Sequence, residues 1–196
     1  SKRAGTRAAV MSHQVPDPVK TTRSGELLAM EKEQSKRFRA HYLGREAEVF
    51  WLFAGAQLVL SSPYTRALQT AAEIVRATGL PLAVESDLHE LMADRSGAPH
   101  TREEMKQLHQ EFLACRGRWP EGDERPWETV DQLTDRVTGV LSRYLTYDKV
   151  IVVTHGGVIR RFVKDQRIAY CTPYVVPMEG KVECRGWIDV PEDISQ

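Results

Sequence analysis

Three short apolar segments stand out along the chain because each ends abruptly in small polar residues. They are residues 8–11 before Ser12-His13, residues 58–60 before Ser61-Ser62, and residues 150–153 before Thr154-His155. Short apolar runs of this kind are typical of strands that are buried on both faces of a sheet. We therefore predict three buried strands, each followed at once by polar side chains.

Helical periodicity fills much of the sequence between these strands. Residues 63–78 carry apolar side chains on one helical face, and residues 129–144 repeat the pattern. Ser62 and Pro63 are suited to the start of the first helix, and Gly79 to a left-handed stop. Strands that alternate with helices predict an α/β fold of three layers, in which helices cover both faces of a mostly parallel central sheet.

Three stretches are less regular. Residues 25–42 are predicted to be helical, although charged residues interrupt their apolar stripe. Residues 94–126 are polar and rich in glycine and proline around a short helical pattern at residues 102–115, which indicates an insertion or lid. Near the C-terminus, residues 174–176 and 181–190 have the character of strands.

Composition limits the classes of partner. The length of 196 residues predicts a single domain over residues 1–196, and the 27 basic and 27 acidic residues give no net charge. A neutral chain has no electrostatic reason to bind nucleic acid or an anionic membrane, so we expect neither partner. The strand-like C-terminal stretch leaves homo-oligomer formation through edge strands open.

Cysteine usage and hydropathy indicate the compartment. The three cysteines, Cys115, Cys171 and Cys184, show no CxxC spacing, which argues against both a disulfide framework and a zinc site. The longest apolar run, residues 49–56, is far shorter than the roughly 20 residues that cross a bilayer. We therefore expect a soluble cytoplasmic protein.

The residues that follow the predicted strands form a candidate site. In open α/β sheets the carboxyl ends of the strands meet at one crevice, which brings together His13, the turn at residues 61–66 and His155. Arg66, in the first turn of a helix that Ser62 opens, is suited to grip an anion such as phosphate. Gly156 and Gly157, directly after His155, let the backbone turn sharply and approach a ligand closely.

This set of residues suits phosphoryl transfer without a metal or other cofactor. An imidazole can attack phosphorus while cationic neighbours offset the charge of the transferring oxygens. The histidines lack the spacing of metal ligands, so we expect no metal. A general acid is still required by this chemistry.

Two blocks of the sequence, LSSPYTRALQTA at residues 60–71 and VTHGGVIR at residues 153–160, resemble signatures of the histidine phosphatase superfamily, the phosphoglycerate-mutase-like proteins. Weaker similarities occur at residues 21–29, at Leu88-His89-Glu90, and in the spacing of Glu128 and Arg136. The resemblance covers roughly residues 8–163. It implies a phosphatase that acts on a small phosphorylated substrate.

The resemblance also implies roles for individual residues. His13 is the expected nucleophile that becomes phosphohistidine, and Arg66 and His155 are expected to bind the phosphoryl group with Ser62 and Gly156 beside them. Glu90 is the expected proton donor. Its carboxylate neighbours at residues 85, 87 and 94, and the imidazole of His89, remain open as alternative acids.

The chain departs from the family in its first signature, where Ser12-His13-Gln14 stands in place of Arg-His-Gly. A branch of the family carries Ser-His there and Asp-Arg-Ser near the acid, which Asp94-Arg95-Ser96 resembles. Arg95 is therefore a candidate to replace the lost cation. The main alternative is a non-catalytic or weakly active member that binds a phosphorylated ligand or protein.

The sequence also argues against mutase activity and against a catalytic role for several other residues. Mutase activity is disfavoured, since no long insertion resembles that of the cofactor-dependent mutases. Glu128 is interpreted as a charge in the first turn of a helix. His41, His100 and His109 lie in polar surroundings and need no special role.

Overall fold

The computed structural model describes residues 6–12, 53–163, 168, 173–178 and 182. The predicted helix over residues 25–42 lies outside this part of the chain, as does His13. The predicted strand over residues 181–190 also lies outside it, apart from Val182.

The described strands form one five-stranded sheet. They are β1 (Thr6–Ser12), β2 (Leu58–Ser61), β3 (Leu82–Val84), β4 (Lys149–Thr154) and β5 (Pro173–Met178). In the order β3-β2-β4-β1-β5, all neighbours are parallel except β5, which runs antiparallel to β1. The three strands predicted from the sequence are confirmed as β1, β2 and β4, the last two of them buried, and residues 174–176 belong to β5.

The helices of the described region occupy the predicted places with small changes at their ends. They are α1 (Thr65–Thr78), α2 (Arg102–Ala114), α3 (Val130–Ser142) and α4 (Gly156–Ile159), with a 3-10 turn at Ser86–Leu88. Gly79 ends α1 as predicted, in the left-handed conformation with φ 70°.

Two predicted helix starts were wrong. α1 begins at Thr65 instead of residue 63, because Tyr64 has the extended backbone of an N-cap, with φ −68° and ψ 135°. The sequence also predicts a helix over residues 158–163, but the last helix begins at Gly156, because His155 is already extended, with φ −123° and ψ 164°. Both helices therefore start where the chain leaves an extended segment.

Alternate residues of the central strands face opposite sides of the sheet, as the twofold period of a strand requires. On one face, Leu58, Leu60, Val150 and Val152 pack with Leu133, Val137, Val140 and Leu141 of α3. On the other face, Val59, Ile151 and Val153 pack with Ala67, Ala71 and Ile74 of α1. Helices thus cover both faces, which confirms the predicted three-layer α/β fold.

The carboxyl ends of β1, β2 and β4 lie at one edge of the sheet. Ser12, the last residue of β1, is the register partner of Thr154, and Ser61 is the partner of Val153. His155 directly follows Thr154, and Ser62 directly follows Ser61. The register of the sheet therefore brings Ser62 and His155 to the same edge.

The segment over residues 94–126 contains α2 between two loops. A small apolar cluster of Phe112, Trp127 and Val130 packs α2 against the start of α3. That the segment is a lid stays a prediction. Within the part of the chain that the structure describes, no helix has both the length and the apolar character needed to span a membrane.

Candidate active site

A cavity of about 430 Å³ opens at the start of α1. Its wall includes Tyr64 and Arg66 from α1 and its N-cap, Glu90 from the segment after the 3-10 turn, and Asp94, His100 and Met105 from residues 94–126. The cavity therefore lies where residues after the parallel strands meet, and the predicted lid contributes to its wall.

Arg66 and Ser62 bind the two ring nitrogens of His155. Arg66 Nε donates to His155 Nδ1 at 3.3 Å, and Ser62 Oγ lies 2.7 Å from His155 Nε2. Because an arginine N–H only donates, Nδ1 is the unprotonated nitrogen, and Nε2 carries the proton that Ser62 accepts. The structure thus brings together three of the residues singled out from the sequence.

His155 is less accessible than its predicted role suggests. Its side chain is fully buried, with 0% of its surface exposed. The ring of Tyr64 lies 5.1 Å from the ring of His155, and the guanidinium of Arg66 lies 4.9 Å from the centre of the same tyrosine. Contact between His155 and a ligand therefore requires a shift of the side chains that cover it, whereas Arg66 lines the cavity directly.

The carboxyl group of Glu90 has the environment expected of a proton donor. Its Oε1 accepts two backbone hydrogen bonds, from Leu91 N–H at 2.8 Å and from Gly157 N–H at 3.0 Å. Burial raises the pKa of Glu90 above its usual 4.5, although the N–H of Leu91, the cation of Arg66 and the N–H of Gly157 oppose this shift. Because Oε1 is occupied, Oε2 is the oxygen suited to carry the proton.

The contact of Gly157 with Glu90 is one that the sequence analysis did not predict. A Cβ at this position would lie 2.4 Å from Glu90 Oε1 and 3.2 Å from Leu91 Cβ. Only glycine therefore allows α4 to approach the carboxyl group closely enough for the N–H of Gly157 to reach it. The second glycine of the motif was the available signal, whereas Gly156, which we expected beside the phosphoryl group, begins α4 and is buried.

The family model described as "Histidine phosphatase superfamily (branch 1)" matches residues 27–166. This match spans well over half of the chain. The chain belongs to the histidine phosphatase superfamily. A search of curated proteins found no significant match.

Solved structures show the same fold at low sequence identity. The YhfR protein of Bacillus stearothermophilus is 18% identical, with a TM-score of 0.54 over 90% of this chain and 93% of that one. A mycobacterial glucosyl-3-phosphoglycerate phosphatase complexed with VO3 is 19% identical, with a TM-score of 0.51 over 79% and 78% of the two chains.

Arg95, the candidate for a substitute cation, does not line the cavity in this structure. Its Nη2 pairs with Glu124 Oε1 at 2.7 Å, and its guanidinium lies 4.9 Å from the centre of the Trp119 ring. Its backbone N–H donates to Pro126 O at 2.8 Å. These contacts hold Arg95 on the insertion, and Arg95 is not among the described residues that line the cavity.

The other acids that the sequence left open have different environments. Glu85 accepts hydrogen bonds from the hydroxyl of Tyr144 and from Arg143, and the bond to Glu85 raises the pKa of Tyr144 to about 12. The hydroxyl of Ser96 holds the pKa of Asp94 below its usual value. Glu90 is therefore the carboxyl group that the geometry favours as the acid.

Two further expectations need revision. Glu128 does not lie in the first turn of a helix, because it precedes the N-cap Thr129. It is 5% exposed and pairs with Arg136 Nε at 2.5 Å. His100, to which we gave no role, lines the cavity, with its Nε2 3.2 Å from Asp94 Oδ2. His13 and His41 lie outside the described residues.

Proposed function

We propose that this histidine phosphatase hydrolyses a small phosphomonoester without a metal, through a phosphohistidine on His13. The observation that supports this most is that Arg66, which bonds the buried His155, and a Glu90 of raised pKa meet at one cavity. A guanidinium and an imidazole can hold a phosphoryl group while a protonated carboxyl group serves the leaving oxygen. The cavity volume of about 430 Å³ is in the range of small-molecule sites.

In the proposed reaction, an imidazole nitrogen of His13 attacks phosphorus while the bond from phosphorus to the leaving oxygen breaks. Glu90 gives its proton to that oxygen, so the product leaves as an alcohol. Water then attacks the phosphohistidine and gives a proton back to Glu90 as the phosphorus–nitrogen bond breaks. Arg66 and His155 offset the charge of the transferring oxygens in both steps.

A specific observation favours a second candidate, a member that binds a phosphorylated ligand or protein with little or no turnover. By the resemblance of residues 12–14 to the family's first signature, Ser12 replaces an arginine, and the candidate substitute Arg95 pairs with Glu124. Among the described residues that line the cavity, Arg66 is the one arginine or lysine. Loss of one charge-assisted phosphate contact costs about 1.5 to 3 kcal/mol, or roughly tenfold to a hundredfold in binding or rate.

Turnover of p-nitrophenyl phosphate in excess EDTA tests the phosphatase proposal. Wild type, His13→Ala and Glu90→Gln are compared between pH 5 and pH 8. We expect His13→Ala to lose turnover and wild type to keep its rate in the chelator. Wild-type turnover no higher than that of His13→Ala contradicts the proposal, and inhibition by EDTA contradicts its metal independence.

Calorimetric titration with inorganic phosphate distinguishes the second candidate. A binder keeps affinity for phosphate in wild type and loses it in Arg66→Met, without turnover in the kinetic assay. Acid-labile incorporation of phosphate into wild type, absent in His13→Ala, instead supports the phosphohistidine. The two candidates therefore differ in the fate of the bound phosphoryl group.

A further inference from the structure

A buried ion pair lies next to the acid-bearing segment. Arg136 Nε donates to Glu128 Oε1 at 2.5 Å, and Arg136 Nη2 donates to Glu128 Oε2 at 2.9 Å. Only 13% of the arginine side chain and 6% of the glutamate side chain are exposed. Burial of two charges is costly, and such a pair is often no more stabilising than apolar residues of the same size. Stability alone therefore does not account for this pair, and its other contacts indicate what else it does.

The remaining donors of Arg136 all bind backbone carbonyl groups around Glu90. Nη1 donates to Asp87 O at 2.5 Å and to His89 O at 2.9 Å, and Nη2 donates to Glu90 O at 3.2 Å. Together with the two bonds to Glu128, these contacts use all five N–H groups of the guanidinium. A lysine, with three donors on one atom, cannot reproduce this set.

Glu128 holds the other end of the same segment. Its Oε2 accepts a bond from Met92 N–H at 3.1 Å, and its own backbone N–H donates to Met92 O at 2.8 Å. The pair thus fixes the chain on both sides of Glu90, from residue 87 to residue 92.

This segment has no regular secondary structure after the 3-10 turn at Ser86–Leu88. Side chains therefore supply much of its restraint, with Thr154 Oγ1 also donating to Leu88 O at 2.8 Å. The Glu90 side chain reaches Gly157 N–H from this segment at 3.0 Å. A displacement of about 1 Å at such a point is enough to misplace a catalytic group.

We propose that Glu128 and Arg136 are a positioning pair that holds residues 87–92 so that the carboxyl group of Glu90 stays on Gly157 and faces the leaving group. This inference rests on the proposed role of Glu90 as the acid. The pair does not contact Arg66 or His155 in the described hydrogen bonds, so phosphate binding should be largely independent of it.

Leaving-group dependence tests the inference, because a general acid matters most when the leaving oxygen is basic. Phenyl phosphate and p-nitrophenyl phosphate have similar shapes and differ mainly in this property. For Arg136→Met and Arg136→Lys we expect kcat with phenyl phosphate to fall roughly tenfold to a hundredfold, and kcat with p-nitrophenyl phosphate to fall much less. KM and inhibition by inorganic phosphate should change by less than about twofold, and Glu90→Gln should show the same dependence.

Two further variants are controls for misfolding and for a nonspecific loss of activity. The double variant Glu128→Gln with Arg136→Met leaves no unpaired buried charge, and it should show the same leaving-group dependence. Arg143→Met removes an exposed ion pair with Glu85 just past the end of α3, and it should match wild type. Equal losses with both substrates, or full activity in the double variant, overturn the inference.

Hydrogen exchange separates this inference from the proposed function. Amides of residues 87–92 should exchange faster in Arg136→Met than in Arg143→Met, whether or not the protein turns over substrate. Unchanged exchange overturns the positioning role. If exchange rises but Glu90→Gln lacks any leaving-group dependence, the role of Glu90 as the acid is wrong, and the positioning role with it.

Discussion

The two sides of the cavity are built in different ways. Ser62 and His155 directly follow strands β2 and β4, and Arg66 lies in the first turn of the helix after β2. Their positions are set by the backbone of the sheet. Glu90 instead lies in an irregular segment, where a glycine N–H and a buried ion pair hold it.

If the proposed roles are right, we expect this difference to separate phosphate binding from proton donation. Substitutions near the strand ends should weaken both ground-state binding and turnover, because Arg66 is expected to contact the phosphoryl group in each state. Substitutions around Glu90 should reduce turnover and leave phosphate binding nearly intact. The variants below test whether the two sides are separable in this way.

The largest effect is expected at Arg66. Arg66→Met removes the guanidinium that lines the cavity and bonds His155 Nδ1 at 3.3 Å. We expect kcat/KM for p-nitrophenyl phosphate to fall roughly 10²- to 10³-fold, with weaker inhibition by inorganic phosphate. Arg76→Met is the matched control on the same helix, because Arg76 is 62% exposed and pairs with Glu73. Unchanged inhibition by phosphate in Arg66→Met would show that this side of the cavity does not bind phosphate, contrary to the proposed difference between the two sides.

A smaller effect is expected from Gly157→Ala, which acts on the other side of the cavity. The new Cβ would lie 2.4 Å from Glu90 Oε1, so the carboxyl group must move. We expect kcat to fall roughly tenfold to a hundredfold, while the inhibition constant of inorganic phosphate stays within about twofold. The control Gly139→Ala adds a methyl group to α3 where nothing lies within 4 Å. A large loss of phosphate affinity in Gly157→Ala would show that the two sides are not separable.

The sequence predicted that Ser62 and His155 lie close together, for a physical reason. Ser62 and His155 each follow a short apolar strand, so the parallel sheet brings them together whatever their separation along the chain. The layer architecture followed from the same local patterns, with α1 and α3 on opposite faces. Local periodicity and strand ends are properties that a sequence displays directly.

The second side could be predicted only in part. Glu90 was found through family resemblance, but the bonds from Gly157 and Arg136 join residues that are far apart in the sequence. The same limit applies to Arg95, whose pairing with Glu124 joins residues 29 positions apart. The partners of charged side chains depend on the tertiary structure, which neither the spacing of residues nor the composition reveals.

The raised pKa of Glu90 predicts an effect on stability that is smaller than the kinetic ones. A carboxyl group whose pKa is raised in the folded state stabilises the fold below its unfolded pKa, and this contribution is lost as pH rises through the folded pKa. Glu90→Gln has no carboxyl group at this position, so it does not lose this contribution to stability as the pH rises. We expect its Tm relative to wild type to increase between pH 5 and pH 8, by an amount on the order of a few degrees.

Glu104→Gln is a control of opposite sign for this measurement. Hydrogen bonds from Thr101 lower the pKa of Glu104, so its contribution to stability is present above the unfolded pKa and is lost on acidification. Its Tm deficit relative to wild type should therefore shrink below about pH 4.5. A pH-independent difference for Glu90→Gln would contradict the assigned direction of the Glu90 pKa shift.

The smallest effect is expected at Arg95, which lies in the segment over residues 94–126 that follows Glu90 in the chain. Arg95→Met removes a pair with Glu124, whose side chain is 68% exposed, and keeps an apolar side chain against Trp119. An exposed ion pair contributes little to stability, so we expect kcat/KM, phosphate inhibition and Tm to stay close to wild type. A loss of phosphate affinity comparable to that of Arg66→Met would mean that Arg95 leaves Glu124 when phosphate binds. The cation missing at Ser12 would then come from the insertion, and phosphate binding would depend on both sides of the cavity.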